Sequence, residues 1–346
     1  MKNLTDITAI KKLDPQNTLG STDLLTEQLK TAWSQVNAFD IQPLVDIQTI
    51  IFCGMGASIY GALVVKSLLG SHFKYPTEIV TDYHLPFYVN EHTLVVLTSY
   101  SGTTEEVLSC AQEALVMKAH MLILTKGGAL AEFAKQNNIP AYIFDGALNL
   151  SGVPRLGTGY TILGLIGLLN KSGIVAISED EINSAITRLQ SKTEIIKQQA
   201  MTDAPKFVGK IPVIFAAEHL SGNGQILRNQ FNETSKTFSA FYLVPDLNHH
   251  LMEGLQFPQP SPLHFIVLDS KNYSAKISKR MSLTIDVVKK NKQIIDVYKP
   301  DTISIYDDFL QTLSYGSYLT LYLGLLYDQN PAVNPWVDYF KDQLKK

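Results

Sequence analysis

Glu233 stands in the stretch GNGQILRNQFNETSK, in which Asn229, Gln230 and Asn232 crowd the end of an expected helix. VPDLNHHLMEG follows at once and brings His249 and His250 into a short loop. A carboxylate with a histidine nearby can move one proton and open a ring. The same residues also allow plainer readings. Glu233 and Lys236 have the i,i+3 spacing of an exposed helical ion pair, and neighbouring surface histidines are common. No second group of His or Cys has ligand spacing, so no metal is expected. Arg155 stands in LSGVPRLGTGY, a Gly/Pro-rich loop that enters a helix. A guanidinium there can steady a developing oxyanion or tie down the loop.

A second group of residues suits anion binding. TSYSGTTEEV, residues 98–107, carries Ser99, Ser101, Thr103 and Thr104 immediately after an apolar run. Hydroxyls and free amides at a helix N-terminus can surround a phosphate, and Glu105 and Glu106 are then expected on the outer side of the first turn. Thr103 followed by Glu106 also reads as a capping box, which needs no ligand. The earlier turn CGMGASIYG has Ile59 where a dinucleotide fingerprint requires a third glycine, and no G-K-[ST] triplet follows any glycine-rich turn. Nucleotide binding is therefore disfavoured. What remains is a tight turn whose Gly56, Ala57 and Ser58 can present amides and one hydroxyl to a sugar or an anion.

Positioning these groups is the task of a repeating pattern. TIIFCG (49–54), TLVVLTS (93–99), HMLILT (120–125) and AYIFD (141–145) read as buried parallel strands, and helical patterns lie between them. The rhythm restarts with IPVIFAAE (211–218) and PLHFIVLDS (262–270). Between the two series come an apolar helix from about 157 to 171 and a polar amphipathic helix over 180–200. Strand, turn and helix in alternation predict an α/β protein with two doubly wound domains.

Composition narrows the partners. The chain has 346 residues, 45% of them hydrophobic, and a formal net charge of −3. No stretch concentrates Lys and Arg into a stripe that could follow a phosphate backbone, so nucleic acid is not expected as a partner. The most apolar run, YTILGLIGLLNKSGIVAI, is broken by Asn170 and Lys171, and no membrane association is expected. Cys53 and Cys110 lack metal spacing and are expected as core thiols of a cytoplasmic protein.

Taken in order, GMGAS, SYSGTTEE, VPR, NQFNETSK and PDLNHHLMEG resemble the motifs of the bifunctional phosphoglucose/phosphomannose isomerases, proteins with two sugar isomerase (SIS) domains. The resemblance runs from about 20 to 345. It implies two SIS-type, flavodoxin-like domains with parallel sheets flanked by helices. These are an N-terminal domain over 1–155 with a leading helical segment, a helical connector over 156–200, and a C-terminal domain over 201–346 with a terminal helix. It implies an aldose–ketose isomerase that interconverts glucose 6-phosphate and fructose 6-phosphate through a cis-enediol, with no cofactor.

By the same resemblance, Ser99, Ser101 and Thr104 hold the substrate phosphate, with Gly56 and Ser58 beside them. Glu233 is the base, and Arg155 stabilises the enediolate. His249 assists ring opening from the other subunit of a homodimer, and Lys341 of the final helix assists as well. Asn334 takes the place of a threonine linked with mannose 6-phosphate, which puts the phosphomannose activity in question. Ala57 and Thr103 depart from the family's usual residues. Two alternatives stay open: a non-catalytic sugar-phosphate sensor, and an amino-sugar-phosphate isomerase.

Overall fold

The structure, a computed structural model, describes residues 4–344. The outermost residues of the expected domains, 1–3 and 345–346, lie outside them. Three helices, α1 (Ile7–Leu13), α2 (Thr18–Asp23) and α3 (Leu25–Asn37), lead into β1 (Thr49–Cys53) and α4 (Tyr60–Leu69). Then come β2 (Thr77–Val80), β3 (Thr93–Ser99), α5 (Glu105–Val116), β4 (His120–Thr125), α6 (Gly128–Gln136) and β5 (Ala141–Ile143). All five strands are parallel, in the order β2-β1-β3-β4-β5. The order reverses direction between β1 and β3, and in such sheets the ligand crevice opens at the carboxyl ends of those two strands.

Two long helices follow, α7 (Thr158–Lys171) and α8 (Glu179–Asp203). The second sheet is built from β6 (Ile211–Ala216), α9 (Ser221–Glu233), β7 (Ala240–Leu243), β8 (Leu263–Leu268), α10 (Ala275–Lys290) and β9 (Ile294–Tyr298). The chain ends in α11 (Ile305–Leu326) and α12 (Pro335–Leu344). This sheet is also all parallel, with the order β7-β6-β8-β9, so it repeats the topology of the first one strand short. Three strands that the sequence did not announce, β2, β7 and β9, are all edge strands of four or five residues with half-exposed side chains.

Alternation along the central strands divides the first half into two layers. Ile51, Cys53, Val95, Leu97 and Ile123 share a core with α5 and α6, whereas Ile50, Phe52, Leu94, Val96 and Leu122 join α4 and α7. The latter core is continuous with that of the second half, through α9 and the wholly buried middle of α11. Helix α7 is buried against α3, α4 and β4, and α8 packs along α11. No helix of the described residues is long and apolar enough to cross a membrane.

The halves meet where α4 crosses α9. Gly222 lies so close to α4 that a methyl on it would stand 2.6 Å from the Leu63 carbonyl oxygen, and one on Gly61 would stand 2.7 Å from the Thr161 carbonyl oxygen. Small residues there let two helix backbones touch, and α9 carries Glu233 on its last turn. Gly222→Val should lower stability by about 1–3 kcal/mol through overpacking. The check is a drop in the urea midpoint at unchanged slope; an unchanged midpoint would show that the crossing has slack.

Candidate active site

Two turns form the hydroxyl-lined side of the crevice. After β1 the chain makes a tight 3-10 turn over Gly56–Ile59, which Gly56 enters at φ 55°. A side chain on Gly56 would meet nothing within 4 Å, so this residue borders open space. The Ser58 amide closes the turn onto the Met55 carbonyl. The Ser58 hydroxyl accepts from the Tyr100 amide at 3.0 Å, leaving its own proton free to donate and fastening this turn to the next.

In the second turn Ser99 is fully buried, accepts from the Gly102 amide at 3.0 Å and lies 2.7 Å from the Thr104 hydroxyl. Ser101 is exposed and pairs with Thr103 at 3.0 Å. Helix α5 starts behind Thr104, whose side chain makes no capping bond. The capping box of Thr103 and Glu106 is thus not formed, and the amides at the helix N-terminus stay open to an acceptor from outside. Glu105 and Glu106 lie toward the Tyr83 hydroxyl, where their charge helps to push its pKa up.

The second side is assembled from both halves of the chain. Arg155, in the 3-10 turn Pro154–Leu156, packs against the Gly56–Ile59 turn and is 3% exposed. Its Nε donates to Thr234 Oγ1 at 3.2 Å, and one terminal nitrogen donates to the carbonyls of Ala332, at 3.0 Å, and Pro331. The other terminal nitrogen lies 3.6 Å from Glu233 Oε2. Asn334 fits between them: with its oxygen toward Arg155 it accepts at 3.0 Å, and its nitrogen donates to the Glu233 carbonyl at 3.2 Å. Of the two roles the sequence allowed, these bonds give Arg155 the loop-tying one. It ties down loops through three bonds, and it keeps one nitrogen beside the carboxylate.

Burial pulls the Arg155 guanidinium below its ordinary pKa, and the Glu233 charge opposes that. Glu233 itself is partly open, its side chain 31% exposed, so a carboxylate faces the crevice while its counter-ion is walled in. Lys236 does not pair with the Glu233 carboxylate as i,i+3 spacing suggests. It sits at φ 56°, and its Nζ turns back to donate to the Glu233 carbonyl at 2.6 Å.

Other expected residues stand apart. His249 is exposed in the 3-10 turn Asp246–His249, and among the described contacts it has no hydrogen bond or ion pair with the Glu233 group. Lys341 is exposed on α12, none of whose residues is buried. Gln230 turns away to Ser317 Oγ, and Asn232 bonds the Arg228 carbonyl and Ser239, so both brace α9. Among the described residues no three His, Cys, Asp or Glu side chains gather as a metal-ligand set.

Sequence reasoning missed Thr234, the carbonyls of Pro331 and Ala332, and Tyr60. Thr234 was legible only as the residue after Glu233, and main-chain acceptors leave no trace in residue type. Tyr60 is fully buried at the start of α4; burial, and then the Glu233 charge, push its phenol far up, so it stays protonated.

Burial, reinforced by Arg155, holds the Lys236 ammonium down to about 8. Raising the pH through that value discharges the group that grips the Glu233 main chain. Activity should therefore decline on the alkaline side around pH 8, and Lys236→Arg, which keeps its charge, should remain active to higher pH. A pH–rate profile of the two proteins decides it; identical alkaline limbs would exclude Lys236.

Residues 196–344 match the bacterial phospho-glucose isomerase C-terminal SIS domain. The chain is 28% identical to the bifunctional phosphoglucose/phosphomannose isomerase of Caldicellulosiruptor bescii, over 86% of this chain and 90% of that one. The enzyme of the same name from Aquifex aeolicus is also 28% identical, over 91% and 94%. A D-glucosamine-6-phosphate 4-epimerase from Sulfolobus acidocaldarius is 24% identical over 70% and 76%. Among solved structures, a hypothetical protein from Thermus thermophilus superposes with a TM-score of 0.74 at 15% identity, over 98% of this chain and 93% of that one, which speaks to the fold alone.

Proposed function

We propose that this homologue of the bifunctional phosphoglucose/phosphomannose isomerases is an isomerase that interconverts glucose 6-phosphate and fructose 6-phosphate, with mannose 6-phosphate as a further aldose. The observation that carries the reading is the buried Arg155 held 3.6 Å from a half-open Glu233, on a crevice whose other side is lined by serine and threonine hydroxyls.

In this reading the phosphate rests on Ser101, Thr104 and the start of α5, with Ser58 and Ser99 shaping the cradle. The phosphate handle fixes the distance from the sugar's far end to its reacting carbons, so position does much of the catalytic work. In the aldose direction Glu233 takes the proton from C2. The electron pair forms the C1–C2 double bond, and the carbonyl oxygen at C1 becomes an enediolate oxygen, stabilised by the Arg155 guanidinium. The proton returns to C1 while the C2 hydroxyl passes its own to the enediolate oxygen, leaving a hydroxyl at C1 and a ketone at C2. Every proton released is taken up again, and the scheme calls on no coenzyme.

Asn334 beside Arg155 and Glu233 has a place near C1 and C2, where the aldoses differ in configuration. An amide there can both donate and accept, which supports tolerance of either C2 epimer.

Ring opening in this reading needs His249 of a second copy. Support comes from α12, whose Trp336 and Phe340 are 82% and 62% exposed, an apolar surface suited to a partner subunit. A D-glucosamine-6-phosphate 4-epimerase among the relatives favours a second reading, in which amino-sugar phosphates are handled by the same cradle.

Glu233→Gln should cost on the order of 10²–10⁴ in kcat on glucose 6-phosphate with the fold intact. A coupled assay run in parallel with mannose 6-phosphate and glucosamine 6-phosphate separates the readings, and full activity of the variant would remove Glu233 from its role. Co-expressing Glu233→Gln with His249→Ala tests the crossed histidine. Half of the dimers are then mixed and half of their sites intact, so about a quarter of wild-type activity should return. No recovery above the single variants would place His249 outside the neighbour's site.

A further inference from the structure

The second sheet repeats the turn lengths of the first at its crevice, yet carboxylates occupy it. Cys53 pairs with Leu97 between β1 and β3, and Phe215 pairs with Val267 between β6 and β8. Counting from these pairs, Gly56 and Glu218 are each the third residue onward, and both take positive φ, 55° and 41°. Thr104 and Ser274 are each the seventh, and each is the residue from which a helix starts, α5 and α10. The two crevices therefore share turn lengths, the positive φ that opens the first turn, and helix placement.

Their contents differ. Gly56 faces open space, and Thr104 makes no capping bond. At the equivalent points of the second half, Glu218 Oε2 accepts from the Ser274 amide at 2.9 Å, and Oε1 accepts from the Ser274 hydroxyl at 2.6 Å. An acidic side chain thus lies at the helix N-terminus, in the place a phosphate takes in the proposed site. Deeper in, the Asp308 carboxylate accepts from Ser270 Oγ at 2.6 Å and Asn272 Nδ2 at 2.8 Å, drawing the turn after β8 onto α11. A positive φ disfavours any residue with a Cβ, and the first half uses glycine there.

We infer that the second crevice is a phosphate cradle filled by the protein's own carboxylates, Glu218 standing in for the ligand, so that each chain holds one sugar phosphate and not two. The comparison rests on the sugar-phosphate reading of the first crevice, but the closure of the second is testable apart from it. A dianion approaching Ser274 would meet Glu218 at contact distance, where like charges repel and the amide and hydroxyl are already engaged.

Equilibrium dialysis of the wild-type protein with labelled fructose 6-phosphate should count one per chain. Two per chain would overturn the inference, whereas none would count against the first cradle and still agree with closure of the second.

The acid itself is tested in a protein whose first cradle is silenced by Ser99→Ala and Thr104→Ala. With Glu218 intact, inorganic phosphate should not raise the melting temperature saturably. With Glu218→Gly, which restores the glycine of the first half, a saturable rise of a few degrees at millimolar phosphate is expected. Saturable stabilisation with Glu218 intact, or none in the folded Gly variant, overturns the stand-in role. Circular dichroism reports whether the variant is folded; should it fail to fold, the Glu218→Ala protein takes its place under the same two criteria.

Discussion

One buried cation organises the centre of the molecule. Arg155 comes from the first half of the chain, yet its Nε and one terminal nitrogen are spent on Thr234, Pro331 and Ala332, all in the second. A guanidinium taken out of water is tolerated only when its hydrogens are satisfied and a counter-charge stands near, and removing a partner from such a group costs about 3–5 kcal/mol. The fold meets that demand by bringing the end of α9 and the loop before α12 to the turn that follows the first sheet. Since Glu233 and Asn334 sit on those same elements, the requirement to satisfy Arg155 also sets where the Glu233 carboxylate lies. In the proposed reaction, stability and chemistry share one residue.

Much of this was legible in the sequence, for physical reasons that differ by element. The central strands announce themselves because both faces are covered, so TLVVLTS and IPVIFA are continuous apolar runs. The edge strands β2, β7 and β9 are short and half wet, and a segment such as TEIV carries too little pattern to distinguish it from a loop. The helix end at Glu233 fell where its sequence suggested, and Asn229, Gln230 and Asn232 were visible as a polar cluster. Residue type could not reveal that Gln230 and Asn232 turn to the scaffold while Thr234 and two carbonyl oxygens take hold of Arg155. Those roles depend on contacts between residues far apart in the chain, which spacing does not encode.

The serine-rich turn shows how a bland local explanation can be separated from a functional one. A capping box would have consumed the donors of the first helical turn inside the protein. Instead α5 begins one residue later, Ser99 is withdrawn beneath the loop, and the Thr104 side chain leaves the helix end open. The number of hydroxyls was readable from sequence. Which of them brace the loop and which remain for a ligand was decided by packing, since Ser99 is fully buried and Ser101 is not.

The matched turns of the two sheets also bear on how such a chain diversifies. A repeated fold offers two crevices, but the glycine of one and the glutamate of the other assign them separate duties. With Glu218 at the start of α10, that helix N-terminus has its counter-charge within the chain. The strand, turn and helix around it were then free to act as a rigid arm, with α9 as the reach and Glu233 as the hand. The repeated fold thus serves the first crevice from the second half, carrying Glu233 to within 3.6 Å of Arg155.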